Sequence, residues 1–244
     1  MSNTVTRPET SSIVLNDSGI ELTKWFGLLF MLLDHINKYL FNYSIVGFYE
    51  LGRVAMPLFG LVLAYNLSRP SLLQSQNKML SIATKLLIFG LIASPAYMTL
   101  GGVIYGWWPL NILFTLSLAT TIIWSLHYKA MQYWWMLAPL FFLFGGAIVE
   151  FWWPAISLII FSWAYFKTGI KVLLIGVFLS FCGLSYINDN YFAFAAIPIF
   201  FLLQLLPCTV TRRKHVFYFA YVLQFYVYII LRIPMSEAGY IFLI

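Results

Sequence analysis

The sequence predicts an all-α, polytopic transmembrane helix bundle of about nine spans, with eight or ten as alternatives, and three observations predict it. Hydrophobic residues make up 62% of the 244 and charged residues only 9%, with a mean hydropathy of +0.86, whereas a soluble domain carries about 25% charge. Apolar runs of the roughly 20 residues needed to cross a bilayer follow one another almost end to end. The Lys and Arg residues cluster on every second connection between those runs. A water-soluble enzyme and a disordered chain are both excluded by the same composition.

Residues 1–21 read as a polar cytoplasmic tail and 22–244 as a single transmembrane helical domain. The tail lacks the basic region and apolar core of a signal peptide, so the first run is expected to remain as a span. The runs are 22–41, 44–67, 79–100, 109–127, 133–149, 153–166, 170–187, 191–206 and 216–233. The sixth and eighth are short enough to be tilted, re-entrant or fused with a neighbour. Lys24, Arg69, Lys78, Lys129, Lys167, Lys171, Arg212, Arg213 and Lys214 fall on one side, and Glu150 and Asp189 on the other. The positive-inside rule then puts the N-terminus in the cytoplasm of an inner-membrane protein and, with an odd count, the C-terminus outside. Trp107, Trp108, Trp134, Trp135, Trp152 and Trp153 stand at run boundaries, as interfacial aromatic belts do.

The net charge of +6 is absorbed by these orientation clusters, so no nucleic-acid partner is expected. Cys182 and Cys208 have neither CxxC nor His spacing and read as small buried hydrophobes, and no metal site is expected. Gly-rich phosphate loops and GxSxG elbows are absent, which excludes a nucleotide-hydrolysing motor. No internal repeat is visible, against the commoner transporter architectures.

Ionisable groups inside a span cost at least about 2.5 kcal/mol each on insertion scales and ask for a reason. The first run carries Asp34 and His35 beyond its midpoint, with Asn37 and Lys38 one turn on. The second carries Glu50 and Arg53 three apart on one face, then Pro57, which is expected to bend the helix. The short link 42–45 makes these helices antiparallel, so Asp34, His35, Glu50 and Arg53 fall at similar depth in the outer half. An ion pair of Arg53 with Asp34 or Glu50 would glue the two helices, yet glue needs no imidazole. Histidine exchanges protons near neutrality, so His35 beside carboxylates is the candidate general base, with Glu50 as the alternative. Asn66 and Arg69 close the second run, Asn111 opens the fourth and Gln224 sits in the middle of the last. His127 and His215 belong to the cytoplasmic interface.

The segments LLFMLLDHINKYLF (28–41), ELGRVAMPLFGLVLAYNLSR (50–69) and NILFTLSL (111–118), in this order and spacing, resemble the TraX family. These are membrane proteins of conjugative plasmids associated with pilin acetylation, related to multi-pass membrane acyltransferases. The match in motifs covers the first half, and the second half is similar in hydropathy and length. The resemblance implies an acetyltransferase (a transferase of the acyltransferase class) that moves acetyl from acetyl-CoA to the N-terminal amine of pilin or a similar extracytoplasmic acceptor. It implies His35 with Asp34 as the catalytic pair and Arg53 on developing oxyanion charge or a phosphate. Glu50, Asn66, Arg69, Asn111 and Gln224 would then contact substrate. Where the family tends to carry a His in the last helix, this chain has Gln224, which hydrogen-bonds but cannot shuttle a proton. Two other functions stay open: a small proton-coupled transporter using Asp34, His35 and Glu50 as a relay, and a non-catalytic pilus assembly factor.

Overall fold

The structure, a computed structural model, describes residues 13–101, 103–128, 136–213 and 215–243. Lys129, Trp134, Trp135, Lys214, the start of the 133–149 run and most of the polar tail lie outside the described residues. Among the described residues every regular element is helical, and pairing between extended segments is limited to the isolated bridges Tyr105 to Trp108 and Leu110 to Val149.

Helix α1 (Asp17–Leu40) begins earlier than its hydropathy suggests, because the Asn16 side chain caps it by accepting from the Ser18 N–H. It packs along α2 (Val46–Ser68), and the turn between them is set by one residue. Asn37 donates from Nδ2 to the Ile45 carbonyl at 2.8 Å and accepts from the Ile45 N–H at 2.9 Å. Asn42 and Tyr43 sit in the left-handed region inside that turn, at φ 50° and 60°. The helices are therefore locked antiparallel, with the second half of α1 against the first half of α2. Pro57 lies inside α2 without ending it.

A short α3 (Pro70–Leu73) leads to α4 (Gln76–Thr99), and α5 (Ile112–His127) returns alongside it. A broken rod follows, made of α6 (Leu137–Leu140), a π-helical stretch Phe141–Gly145 and α7 (Gly146–Ile148). Then come α8 (Trp152–Thr168), α9 (Leu173–Asn188), a 3-10 turn Phe192–Ala195 continuing into α10 (Ala196–Leu205), and α11 (Val216–Glu237).

Hydrogen bonds show the chain alternating between two ends. At one end the Tyr65 hydroxyl accepts from the Leu15 N–H at 2.9 Å, Tyr128 donates to the Leu72 carbonyl at 2.7 Å, and Trp163 donates to the Leu67 carbonyl at 3.3 Å. His127 is held there as well, donating from Nε2 to the Leu73 carbonyl and accepting from Lys167 Nζ, both at 3.0 Å. At the other end Leu110 bonds the backbone of Ile148 and Glu150, each at 2.8 Å, and Tyr49 donates to the Asn188 carbonyl at 3.0 Å.

Three helices, α2, α4 and α11, are long and apolar enough to cross a membrane by length and composition. Helix α1 has 24 residues but carries Asp17, Glu21, Lys24, Asp34 and Lys38. The 16 residues of α5 and of α9 make rods of about 24 Å, short of the roughly 30 Å hydrocarbon thickness. Length thus supports a polytopic bundle and singles out three of the nine expected spans.

One expectation is reversed. Cys182 and Cys208 are both exposed. Helix α9 buries the stripe of Ser180, Phe181, Leu184, Ser185 and Asn188, which leaves Cys182 on the outward side, and Cys208 lies in the connection after α10.

Candidate functional site

The turn fixed by Asn37 brings Asp34 against Gly52 and Arg53. A Cβ added at Gly52 would overlap Cβ and Cγ of Asp34 and lie 2.7 Å from its Oδ1, so only glycine lets the carboxylate lie flat on α2. Arg53 Nη2 donates to Asp34 Oδ2 at 2.6 Å. Its Nε donates to the Tyr49 carbonyl at 3.2 Å and its Nη1 to Asn188 Oδ1 at 3.3 Å, while the guanidinium stacks 4.4 Å above the Tyr49 ring. Arg53 therefore binds Asp34 and not Glu50, and Asn188, at the C-terminal end of α9, completes its coordination. Asp34 is 8% exposed, and its second oxygen, Oδ1, is buried without a hydrogen-bond partner.

His35 faces α11. Its Nδ1 lies 3.0 Å from Gln224 Oε1, and an amide oxygen only accepts, so Nδ1 carries the proton and Nε2 is left with its lone pair. Gln224, 5% exposed, is itself fixed: Tyr228 donates to the same oxygen at 3.5 Å, and its Nε2 points to the Met31 sulfur at 3.9 Å. The imidazole is also packed against Tyr39 and Phe225, with ring centroids 5.6 and 5.3 Å away.

Asp34, His35, Lys38, Arg53 and Glu150 line one cavity of about 90 Å³ in the half of the bundle that holds the link 42–45. Glu150 reaches it from the connection between α7 and α8, outside the helices. Burial pushes its carboxyl up from the ordinary glutamate value, with Lys38 and Arg53 acting in the opposite sense. A second cavity, of about 450 Å³, extends toward the opposite end and is lined by Lys24, Asn66, Lys85, Arg212 and His215 among mostly apolar side chains. Met31, Phe59 and Ile112 belong to the walls of both, so the two chambers adjoin at those three side chains.

Of the residues singled out in the sequence, Asp34, His35 and Arg53 line the smaller cavity, Gln224 supports it from behind His35, and Asn66 lines the larger one. Glu50 lines neither cavity. Asn111 is fully buried, caps α5 by accepting from the Leu113 N–H, and donates to the Gly90 carbonyl at 3.0 Å and Ser94 Oγ at 3.3 Å. Arg69 forms an ion pair with Asp17 and stacks on Tyr65, tying the start of α1 to the end of α2. Sequence reasoning passed over Asn188, Lys85 and the cavity role of Glu150. Lys85 carried a signal, a lone cation well inside an apolar run, whereas Asn188 at a run boundary carried none.

A helical membrane protein with a histidine–carboxylate site in one half of the bundle is the class that this geometry defines. The family described as TraX protein matches residues 19–232, and the chain belongs to that family. No curated protein and no solved structure matches it.

Proposed function

We propose that the protein is a membrane acetyltransferase that takes acetyl from acetyl-CoA and transfers it to the N-terminal amine of pilin or a similar acceptor on the outer side of the inner membrane. The observation that carries this reading is His35: its Nδ1 is tied to Gln224, and its ring borders a cavity that also holds Asp34, Arg53 and Glu150. A base whose second nitrogen is oriented by a third group is the arrangement that nucleophile activation requires.

The acceptor amine attacks the thioester carbonyl carbon, the C–N bond forms and the C–S bond breaks. The proton lost by the amine passes to His35 Nε2 and from there to the departing thiolate, so no metal or redox partner is needed. Arg53 keeps part of its five-donor fork beyond the three bonds described and supplies positive charge to the oxyanion. The Glu150 carboxylate in the same cavity attracts the acceptor as an ammonium ion and takes its first proton, leaving the neutral amine to attack, which favours an amine over a hydroxyl. Gln224 is a positioning residue in this scheme, so the His expected there is not needed as a second proton carrier.

Intact mass of pilin from cells with the wild-type protein, with His35→Gln and without the protein tests the reading. One added acetyl group with wild type alone is expected, and pilin of unchanged mass in all three would sink it. The two chambers on either side of Met31, Phe59 and Ile112 also favour a second reading, a proton-coupled transporter. Its mark would be pH-dependent flux in proteoliposomes that His35→Gln abolishes, with no acyl transfer.

A further inference from the structure

We infer that the larger cavity is the channel by which the coenzyme A thioester reaches His35 from the cytoplasmic end, with Lys24, Lys85, Arg212 and His215 gathering its phosphates. The inference rests on the acetyltransferase reading and deepens it.

Four of its observations are independent of that reading. The cavity of about 450 Å³ lies within the range of ligand pockets. Its lining includes Lys24, Lys85, Arg212 and His215 and no acidic side chain, so its field selects anions. Lys24 is already paired with Glu21, but among the described residues Lys85 and Arg212 form no salt bridge. Lys85 also lies nine residues into α4, about 14 Å along the helix at roughly 1.5 Å per residue. Its side chain is exposed at the cavity wall, and orientation charges belong near span ends, so a cation nine residues into the helix calls for a partner there.

The geometry matches a long, flexible carrier with an anionic head. From Lys24 to His35 the chain advances eleven residues along α1, about 16 Å, a length that an extended pantetheine arm covers. Beyond the basic mouth the walls become apolar, with Asn66 offering an amide to the amides of the arm. The cavity ends on Met31, Phe59 and Ile112, and those side chains are also the floor of the chamber that holds His35. A thioester seated with its phosphates at the mouth would present its carbonyl at that layer. Phosphate at a headgroup of an anionic lipid has the same chemistry as the diphosphate of the coenzyme, so the test separates the two sources.

The full chain in phosphatidylcholine nanodiscs is titrated with coenzyme A, with pantetheine and, in separate discs, against added phosphatidylglycerol. Saturable coenzyme A binding is expected, weakened about tenfold by Lys85→Gln and by Arg212→Gln, as the loss of one charged hydrogen bond implies. Lys78→Gln removes an exposed cation from the same helix that does not line the cavity, and should leave binding unchanged. Pantetheine should bind far more weakly and ignore both substitutions. His35→Gln, in the other chamber, should bind coenzyme A like wild type. Absence of coenzyme A binding, indifference to both substitutions, or displacement of coenzyme A by phosphatidylglycerol at equal concentration would overturn the inference. If binding follows the expected pattern while pilin mass never changes, only the transfer reading is lost. If pilin is acetylated with an unaltered KM for acetyl-CoA in both variants, only the channel is lost.

Discussion

Gln224 Oε1 lies 3.0 Å from His35 Nδ1, across 189 positions of sequence. That contact decides which imidazole nitrogen is free, because the amide oxygen obliges Nδ1 to donate. A histidine at 224, the residue expected from the family resemblance, could either donate or accept and would leave the tautomer of His35 to its own protonation state. Glutamine fixes it permanently.

Gln224→Leu should therefore lower the rate of acetyl transfer by about 10²-fold, toward the low end of what a positioned general base contributes, with little change in KM for the donor. Single-turnover transfer to a pilin N-terminal peptide measures it. A variant with wild-type kcat would remove Gln224 from the mechanism, and a lowered KM effect alone would assign it to binding.

His35→Gln keeps polarity and much of the volume, so membrane insertion and expression should stay near normal while transfer disappears. Fluorescence-detected size exclusion of a tagged chain, alongside pilin mass, separates the two outcomes. Normal transfer would remove His35 as the base and leave that role to a carboxylate in the chamber, Asp34 or Glu150.

Gly52→Ala should destabilise the protein by about 1–3 kcal/mol, the usual cost of forcing an atom into an occupied site. The added methyl would overlap Asp34, whereas Gly47, with open space around its Cβ position, accepts alanine without conflict. Thermal unfolding of the two variants in the same detergent checks the contrast, and equal melting temperatures would contradict the close approach of Asp34 to α2.

Arg53→Ala leaves Asp34 Oδ2 and Asn188 Oδ1 without their donor, in addition to the already unpartnered Asp34 Oδ1, and removal of one member of a buried pair costs about 3–5 kcal/mol. The double variant Asp34→Leu with Arg53→Met should recover most of that stability and none of the activity. Full stability in Arg53→Ala alone would mean that the pair is not shielded from water.

Glu150→Gln bears on pH. A carboxyl whose value is raised by burial binds more protons when folded than when unfolded, so the wild-type protein loses stability as pH rises from its unfolded toward its folded value. Below that window wild type and Glu150→Gln should melt together, and above it the variant should melt higher. Wild type melting above the variant at the higher pH would show that Lys38 and Arg53 outweigh the burial.

The hydropathy and charge pattern made the helical bundle and the meeting of α1 with α2 legible, since a four-residue link leaves those helices no other course. Asp34, His35 and Arg53 could be grouped for that reason. The partner choice of Arg53 was not legible, because Asp34 and Glu50 are both within a turn or so of it and only the rotation of α1 about its axis decides between them. Gln224 and Asn188 are brought in by α11 and α9, whose placement depends on long-range packing that period and hydropathy do not encode. The local role of Asn111 was legible in principle, since asparagine before an apolar run is a common N-cap, and that is how α5 uses it. The pairing of Arg69 with Asp17, at the start of α1, was not legible, because the two stand 52 positions apart and meet only once α1 and α2 are packed.

The layer formed by Met31, Phe59 and Ile112 contains no titratable atom. If both chambers held water, cavities placed end to end without such a layer would form a continuous wire for protons and small ions. With these apolar side chains between them, and on the proposed acetyl transfer, a thioester would reach across only as fast as the three yield, and would fill the gap that it opens. On that proposal the layer would let a donor from one side act on an acceptor at the other while the electrochemical gradient of the membrane stays intact.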